Sequence, residues 1–403
     1  MKKFLKLLAS LPNFFYSIFS CIKIFILILF KEKNTFILLN PEGGFGPSLL
    51  KPYLLHVFAK KYKLNNYLLI FGYDFRRHNK YTKFFFDKNF VWLDLNSKYI
   101  PFGIVNEKLK YLIFHILYAM LVIFQYKKNI YYFNHYFEKF LKVSHITEDK
   151  KNYYGTANAL FKFLIKNEKY SKNFSKKLDK YFNLNIKYQK KKCAIFIRAK
   201  GSGEKDLSSN LRDTSNVNLY YLAIQNLIKE GWQVFLTGDV YKKESWFDNF
   251  GNNLIYPQKF SNNDLYNAIV GSKADCLVSG MSGAVNYKFL DIQKPNLVIE
   301  GFPFGFGFYK TTMSFKFTKK KLYLKDVFEP SKLNYNKKYE FEQLSSKEIS
   351  KIIIEFVKNC KYGKVIGYMP TKKILKGNYY FKSSGAKISR SWILLQKEKK
   401  YLN

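Results

Sequence analysis

The chain has 403 residues, with 69 lysines and arginines against 29 aspartates and glutamates, for a formal net charge of +40. This length suits two domains with separate cores. The four dispersed cysteines (Cys21, Cys193, Cys276, Cys360) exclude a disulfide framework, and the five histidines lack metal-type spacing, so no metal or cofactor is expected and a reducing cytoplasm fits. The charge is nearly all lysine in a chain also loaded with Asn, Ile, Phe and Tyr. It reads as compositional background, with no specific nucleic-acid partner, and directs attention to the five arginines, whose guanidinium groups make bidentate contacts that lysine cannot copy.

Lys2, Lys3 and Lys6 precede an apolar segment, Phe14 to Phe30, that Lys23 interrupts and Lys31 and Lys33 flank. Its uninterrupted length falls short of the roughly 20 residues of a spanning helix. Two readings stand open: an amphipathic helix on an anionic membrane face, or a helix packed on the protein itself. Residues 1–33 are therefore set apart from an amino-terminal domain, 34–190, a carboxyl-terminal domain, 191–362, and a tail, 363–403.

Phe36 to Leu39 read as a buried strand that runs into Asn40-Pro41-Glu42-Gly43-Gly44-Phe45-Gly46-Pro47, with a helix from Ser48 to about Lys60. A glycine-rich loop after the first strand lies on the carboxyl edge of an α/β sheet, where ligands of such folds bind. The dinucleotide fingerprint is absent: no third glycine falls at the required spacing and Pro47 intervenes. Tyr67 to Phe71 and Val91 to Leu95 read as further strands. Between them Asp74, Arg76, Arg77 and His78 form a polar cluster, either a contact for an anionic acceptor or a solvated loop. Tyr111 to Tyr126 is apolar nearly all round, as in a helix that is buried or in lipid. The lysine- and tyrosine-rich stretch from Lys127 to Gln189 reads as helical, including Asn158 to Ile165.

The carboxyl-terminal half alternates more plainly. Ala194 to Ile197 form a strand delivering Arg198; Arg212-Asp213 precede a helix from about Leu219 to Lys229, stopped by Gly231. Val234 to Leu236 lead to Thr237-Gly238-Asp239. Asn253 to Tyr256 are extended, and Asn262 to Gly271 form a helix. Cys276 to Val278 is a strand followed by Ser279-Gly280-Met281-Ser282-Gly283, an apolar-periodic helix (Val285, Phe289, Ile292) and the strand Leu297 to Ile299. This order implies a parallel sheet with its site along the carboxyl ends of the strands. On that edge gather Arg198, Arg212, Gly238, Asp239, Ser279, Gly280, Ser282, Gly283 and Glu300. The set suits a nucleotide diphosphate, with the arginines and the Ser/Gly helix start taking phosphate charge and Glu300 holding a hydroxyl pair. The plainer alternatives are an ordinary strand-to-helix turn and a salt bridge from Arg198 to Asp213 or Asp239. Phe302 to Tyr309 is an aromatic loop suited to stacking, and Ser346 to Lys358 is a helix with Ile349, Ile352, Ile353 and Phe356 on its core face.

The residues Phe196-Ile197-Arg198, Arg212-Asp213, Glu230 to Val234, Thr237-Gly238-Asp239, Ala274 to Gly283 and Lys294-Pro295-Asn296 resemble a family of bacterial glycosyltransferases found with surface-polysaccharide genes. The resemblance covers about Cys193 to Phe306, and Pro41 to Gly46 is similar to that family's first loop. It implies a GT-B-like fold of two Rossmann-like domains with parallel sheets facing across a cleft. A nucleotide-sugar donor would sit on the carboxyl-terminal domain, and a surface-polysaccharide or lipid-linked glycan acceptor on the amino-terminal one. The expectation is a metal-independent transferase peripheral to the inner face of the cytoplasmic membrane. Glu42 is the expected base for the acceptor hydroxyl, with Asp74 and His78 behind it and Gly43, Gly44 and Gly46 shaping the loop. Two rivals stay open: a pyruvyl- or phosphate-transferring enzyme of the same pathway, and a non-catalytic basic protein binding membranes or nucleic acid.

Overall fold

The structure is a computed structural model. It describes Phe19, Ile22 and Ile26, the five amino-terminal strands given below, and residues 191–198, 216–240, 242–260, 263–289, 293–301, 310–318, 323–327, 341–371, 373–375, 381 and 384–402. The chain divides into two compact units, Met1–Asn167 and Glu168–Asn403.

The first unit carries β1 (Thr35–Leu39), β2 (Tyr67–Tyr73), β3 (Phe90–Asp94), β4 (Asn129–Asn134) and the two-residue β5 (Lys139–Phe140). They form one sheet in the order β3-β2-β1-β4-β5, parallel except for the final antiparallel pair. β1 has β2 on one side and β4 on the other, with Leu39 opposite Phe71 and Phe133. The helical reading of the stretch after Lys127 is corrected here. Asn129–Asn134 is a strand beside β1, and its unbroken apolar run, Ile130 to Phe133, is the pattern of a parallel strand inside a sheet. The helices expected at 48–60, 111–126 and 158–165 lie outside the described residues.

The second unit is built on a seven-stranded, wholly parallel sheet in the order β14-β11-β10-β9-β6-β7-β8. Its strands are β6 (Lys192–Ile197), β7 (Gln233–Gly238), β8 (Leu254–Ile255), β9 (Cys276–Ser279), β10 (Asn296–Gly301), β11 (Thr312–Phe315) and β14 (Lys387–Ile388). A separate antiparallel ribbon pairs β12 (Phe317–Thr318) with β13 (Phe341–Glu342). Segment 363–403, set apart in sequence as a tail, supplies the edge strand β14 and a helix of this unit.

Every residue of β6 is buried. Cys193, Ile195 and Ile197 point into the core shared with two packed helices, α1 (Tyr221–Lys229) and α3 (Ser346–Asn359), while Phe196 meets Tyr287 on the other face at a ring separation of 5.2 Å. Burial on both faces explains why the strand reads as an unbroken apolar run rather than an alternating one. α1 and α3 are joined by a 3.0 Å hydrogen bond from the Asn226 amide to Ser350 Oγ and by Lys358 on Glu230. α3 begins with a capping box in which Ser345 and Glu348 bond each other's backbone N–H. Gly231 ends α1 at φ +83, the left-handed position that glycine fills without strain. On the opposite face, α2 (Asn263–Lys273) buries Tyr266, whose hydroxyl donates to the Leu236 carbonyl at 2.6 Å. Finally, α4 (Arg390–Glu398) plugs Trp392 into the sheet, with its indole N–H on the Phe315 carbonyl at 2.6 Å and its ring edge-on to Phe315.

The second unit is thus a Rossmann-like α/β unit and the first carries a mainly parallel sheet, as the GT-B-like resemblance implies for each half.

Candidate functional site

Strand order locates the site before any side chain is considered. From β6 the chain moves outward to β7 and β8, then returns to the other side of β6 with β9 and proceeds outward to β10, β11 and β14. The carboxyl ends of β6 and β9 therefore flank the switch point, where outgoing chains part in opposite directions and leave a crevice. Ligands of doubly wound sheets bind there. The first unit repeats the device, because β1 is followed by β2 and β3 on one side and β4 on the other.

At the second unit's switch point, Phe196 lies opposite both Ser279 and Thr237, and Ile197 opposite Gly238. Gly280 is consequently level with Ile197, and Arg198 leaves the adjacent strand one residue further on. Asp239 is fixed beside them by its N–H, which donates to the Ile197 carbonyl at 2.8 Å. Gly238 makes this approach possible. Its φ is +86, and a Cβ there would lie 2.3 Å from the Ile197 carbonyl oxygen.

Ser279 is 2 % exposed, and its hydroxyl oxygen has no hydrogen-bond partner in the protein. A buried hydroxyl left this way costs about 1–3 kcal/mol, so its position at the mouth of the crevice suits a ligand oxygen. Ser282 is different. Its Oγ accepts from the Ala284 N–H at 3.3 Å and its N–H donates to the Gly280 carbonyl at 2.8 Å, so it caps its own turn. The helix expected after Gly283 is a seven-residue 3-10 segment, Gly283–Phe289. So short a helix contributes little dipole, and the turn's charge-stabilising capacity rests on its own N–H groups.

Glu300, the penultimate residue of β10, lies within a register shift between Val298 and Gly301, at φ +51, a backbone conformation strained for a residue with a side chain. It is 3 % exposed and accepts the Leu344 N–H on Oε1 at 3.2 Å. Burial raises its pKa above the ordinary glutamate value, opposed by the charge of Lys316 and by that hydrogen bond. The carboxylate therefore ties the end of β10 to the segment that enters α3.

Sequence reasoning missed Asn267. From α2 its side-chain oxygen receives the Thr237 hydroxyl and the Gly238 N–H, the latter at 3.1 Å, while its own carbonyl receives the Tyr287 hydroxyl. One residue thus fastens the β7 loop, α2 and the segment behind the Ser279 turn. Lys294, also buried, donates to the Gly271 carbonyl at 3.1 Å and holds the last turn of α2. An asparagine inside a helix, where its propensity is poor, was the available signal.

The remaining thiols gather at the opposite edge of the sheet. Cys276, first in β9, contacts Cys193 and Cys360, and contact with Cys193 chiefly holds its pKa well above the ordinary thiol range. Among the described residues, no group of three or more His, Cys, Asp or Glu side chains is arranged to hold a metal ion. Arg212, Glu42, Gly43, Gly44, Gly46, Asp74, His78 and the 302–309 loop lie outside the described residues.

The fold and the candidate site define a doubly wound α/β unit, and the chain carries a second unit whose sheet has the same switch-point order. No protein-family model and no curated protein matches the chain. Among solved structures it is similar to the E. coli heptosyltransferase WaaC with ADP-2-deoxy-2-fluoro heptose, at 10 % identity over 69 % of this chain and 92 % of that one, TM-score 0.41. It is also similar to a glycosyl transferase family 9 protein from Veillonella parvula, at 11 % identity over 81 % and 96 %, TM-score 0.44. A third is the wall teichoic acid polymerase TagF, at 13 % identity over 71 % and 79 %, TM-score 0.27. At this level of likeness the functional reading rests on the residues of the site itself.

Proposed function

We propose that the chain is a glycosyltransferase that moves a sugar from a nucleotide-sugar donor to a surface-polysaccharide or lipid-linked glycan acceptor, without a metal, at the inner face of the cytoplasmic membrane. The observation that carries the reading is the β6/β9 switch point, where the buried, unpartnered Ser279 hydroxyl and glycine-bearing turns flank the end of β6 that delivers Arg198. Such a mouth accepts a diphosphate: the arginine supplies charge-assisted hydrogen bonds, and Gly280 and Gly283 let the ligand approach the backbone. The residues resembling surface-polysaccharide glycosyltransferases, Phe196 to Arg198 and Ala274 to Gly283 among them, narrow the ligand to a sugar donor.

In this mechanism Arg198 and Arg212 neutralise the diphosphate as the glycosidic bond to its oxygen breaks, and the Ser279 to Gly283 turn donates to the same oxygens. Glu300 and Asp239 stand at the same edge to hold ribose or sugar hydroxyls. A base of the first unit, Glu42 with Asp74 and His78 as further members, takes the acceptor proton. The anionic membrane surface presents a lipid-linked acceptor to the lysine-rich amino terminus.

A thermal-shift panel of UDP, GDP, ADP and CMP, each with and without EDTA, tests this. One nucleotide is expected to raise the midpoint in the presence of chelator, with stabilisation of about 2.7 kcal/mol at a hundredfold excess over Kd. That response should disappear in Arg198→Ala. Silence toward every nucleotide, with a response to phosphoenolpyruvate, would transfer the site to the pyruvyl-transferring alternative. Steeply salt-dependent binding to any polyanion and nothing else would support the non-catalytic one.

A further inference from the structure

Phe19, Ile22 and Ile26 are helical and exposed, at 69 %, 39 % and 47 % of their surface. Spacings of three and four residues at 3.6 per turn put them within an arc of about 60° on one helix face. A single exposed isoleucine is ordinary on a protein surface, whereas three large apolar side chains aligned along one face form a stripe that water solvates poorly. Even Ile22, the least exposed of the three, keeps 39 % of its surface in solvent.

We infer that the apolar stripe of Phe19, Ile22 and Ile26 is a docking surface for an anionic lipid bilayer, into whose interface these three side chains insert. Charge selects that occupant. Residues 1–33 hold six lysines (Lys2, Lys3, Lys6, Lys23, Lys31, Lys33) against Glu32 alone, so the segment carries a net charge of +5. A second copy of the chain would bring the same +5 to the contact and repel it. Nucleic acid would satisfy the lysines and leave the apolar stripe in water. An acidic headgroup layer over acyl chains satisfies both at once. This inference deepens the membrane location in the proposed function by naming the surface that makes the contact.

The test is flotation of the full chain with vesicles of phosphatidylcholine alone and of phosphatidylcholine with phosphatidylglycerol in roughly a two-to-one ratio, anionic lipid being the variable that drives polybasic attraction. The parent protein should float with the anionic vesicles only, and high salt should weaken binding without abolishing it. The triple variant Phe19→Ser, Ile22→Ser, Ile26→Ser should partition at least about tenfold more weakly, because each substitution removes buried apolar surface. Substitution at exposed positions should leave the thermal midpoint unchanged, so loss of flotation with an intact midpoint reports the surface itself. Undiminished flotation of the triple variant would overturn the inference, as would complete loss of parent binding in high salt, the mark of electrostatic attraction without insertion. A concentration-dependent dimer that the triple variant dissolves, with flotation unchanged, would assign the stripe to a second copy instead. The nucleotide response, read in parallel, separates the two proposals: it should be equal in parent and variant, and its absence from both would count against the transferase reading alone.

Discussion

Gly238→Ala tests whether the β6/β7 edge is as tightly constrained as its geometry indicates. The substitution meets two penalties. At φ +86 an alanine sits in the left-handed region, at about 1–2 kcal/mol, and its Cβ would stand 2.3 Å from the Ile197 carbonyl oxygen. That oxygen is backbone and accepts the Asp239 N–H at 2.8 Å, so it cannot swing aside like the end of a side chain. Forced repacking adds about 1–3 kcal/mol, for a combined loss of about 2–5 kcal/mol. Gly231→Ala is the internal control. Its φ is +83, but nothing lies within 4 Å of the added methyl, so only the backbone penalty of about 1–2 kcal/mol applies.

Urea unfolding followed by tryptophan fluorescence measures both variants, since Trp232, Trp246 and Trp392 all belong to this unit. Gly238→Ala should shift the midpoint clearly further than Gly231→Ala. Because the clash pushes on the strand that carries Arg198, nucleotide affinity should fall in the first variant and hold in the second. Equal destabilisation by the two would refute the steric half of the reasoning. Destabilisation by Gly238→Ala without loss of affinity would separate this edge from the ligand site.

Three further outcomes are expected. Ser279→Ala should change stability by less than about 0.5 kcal/mol or raise it, since no protein partner is lost, while weakening nucleotide binding roughly three- to tenfold. Glu300 has a raised folded pKa, so the native state holds its proton in the window just above the unfolded value and stability falls as pH rises through that window; Glu300→Gln should therefore stabilise the protein at neutral pH and lose that advantage in acid. Urea titrations of both proteins at several pH values check this, and a gain that grows on acidification would contradict it. Ser345→Ala should cost about 1 kcal/mol through loss of the α3 cap, with nucleotide affinity unchanged.

The carboxyl-terminal sheet was legible because its strands are buried on both faces. Cys193 to Ile197, Val234 to Leu236, Cys276 to Val278 and Leu297 to Ile299 are apolar runs without alternation, separated by polar turns and by segments long enough for crossovers. The same background that supplies those runs concealed β4. In a stretch full of lysine, tyrosine and phenylalanine, a run of four apolar residues does not stand out, and its place beside β1 is set by the distant strand it pairs with. The segment after Gly283 failed for another reason. Val285 and Phe289 fit a helical face, but Tyr287 is drawn against α2 so closely that a methyl on Gly271 would fall 2.3 Å from its ring. A close approach of that kind is imposed by packing and leaves no periodic trace in the sequence.

The site follows the same division. Arg198, Gly238, Asp239, Ser279, Gly280 and Glu300 could be placed along one edge because chain order fixes which residues lie at the ends of parallel strands, and a parallel sheet sends all those ends to one side. Their separate states were beyond chain order. Ser282 and Ser279 are three residues apart in one turn, yet the first bonds the backbone of its own helix start and the second is left with no partner. Glu300, read in sequence as a carboxylate for a ribose or sugar hydroxyl pair, is also the acceptor for the Leu344 N–H. A ligand hydroxyl at Glu300 would therefore share the carboxylate with the entry to α3. Binding at the strand edge and the seating of that helix are then mechanically joined, with the strained backbone at φ +51 as the joint.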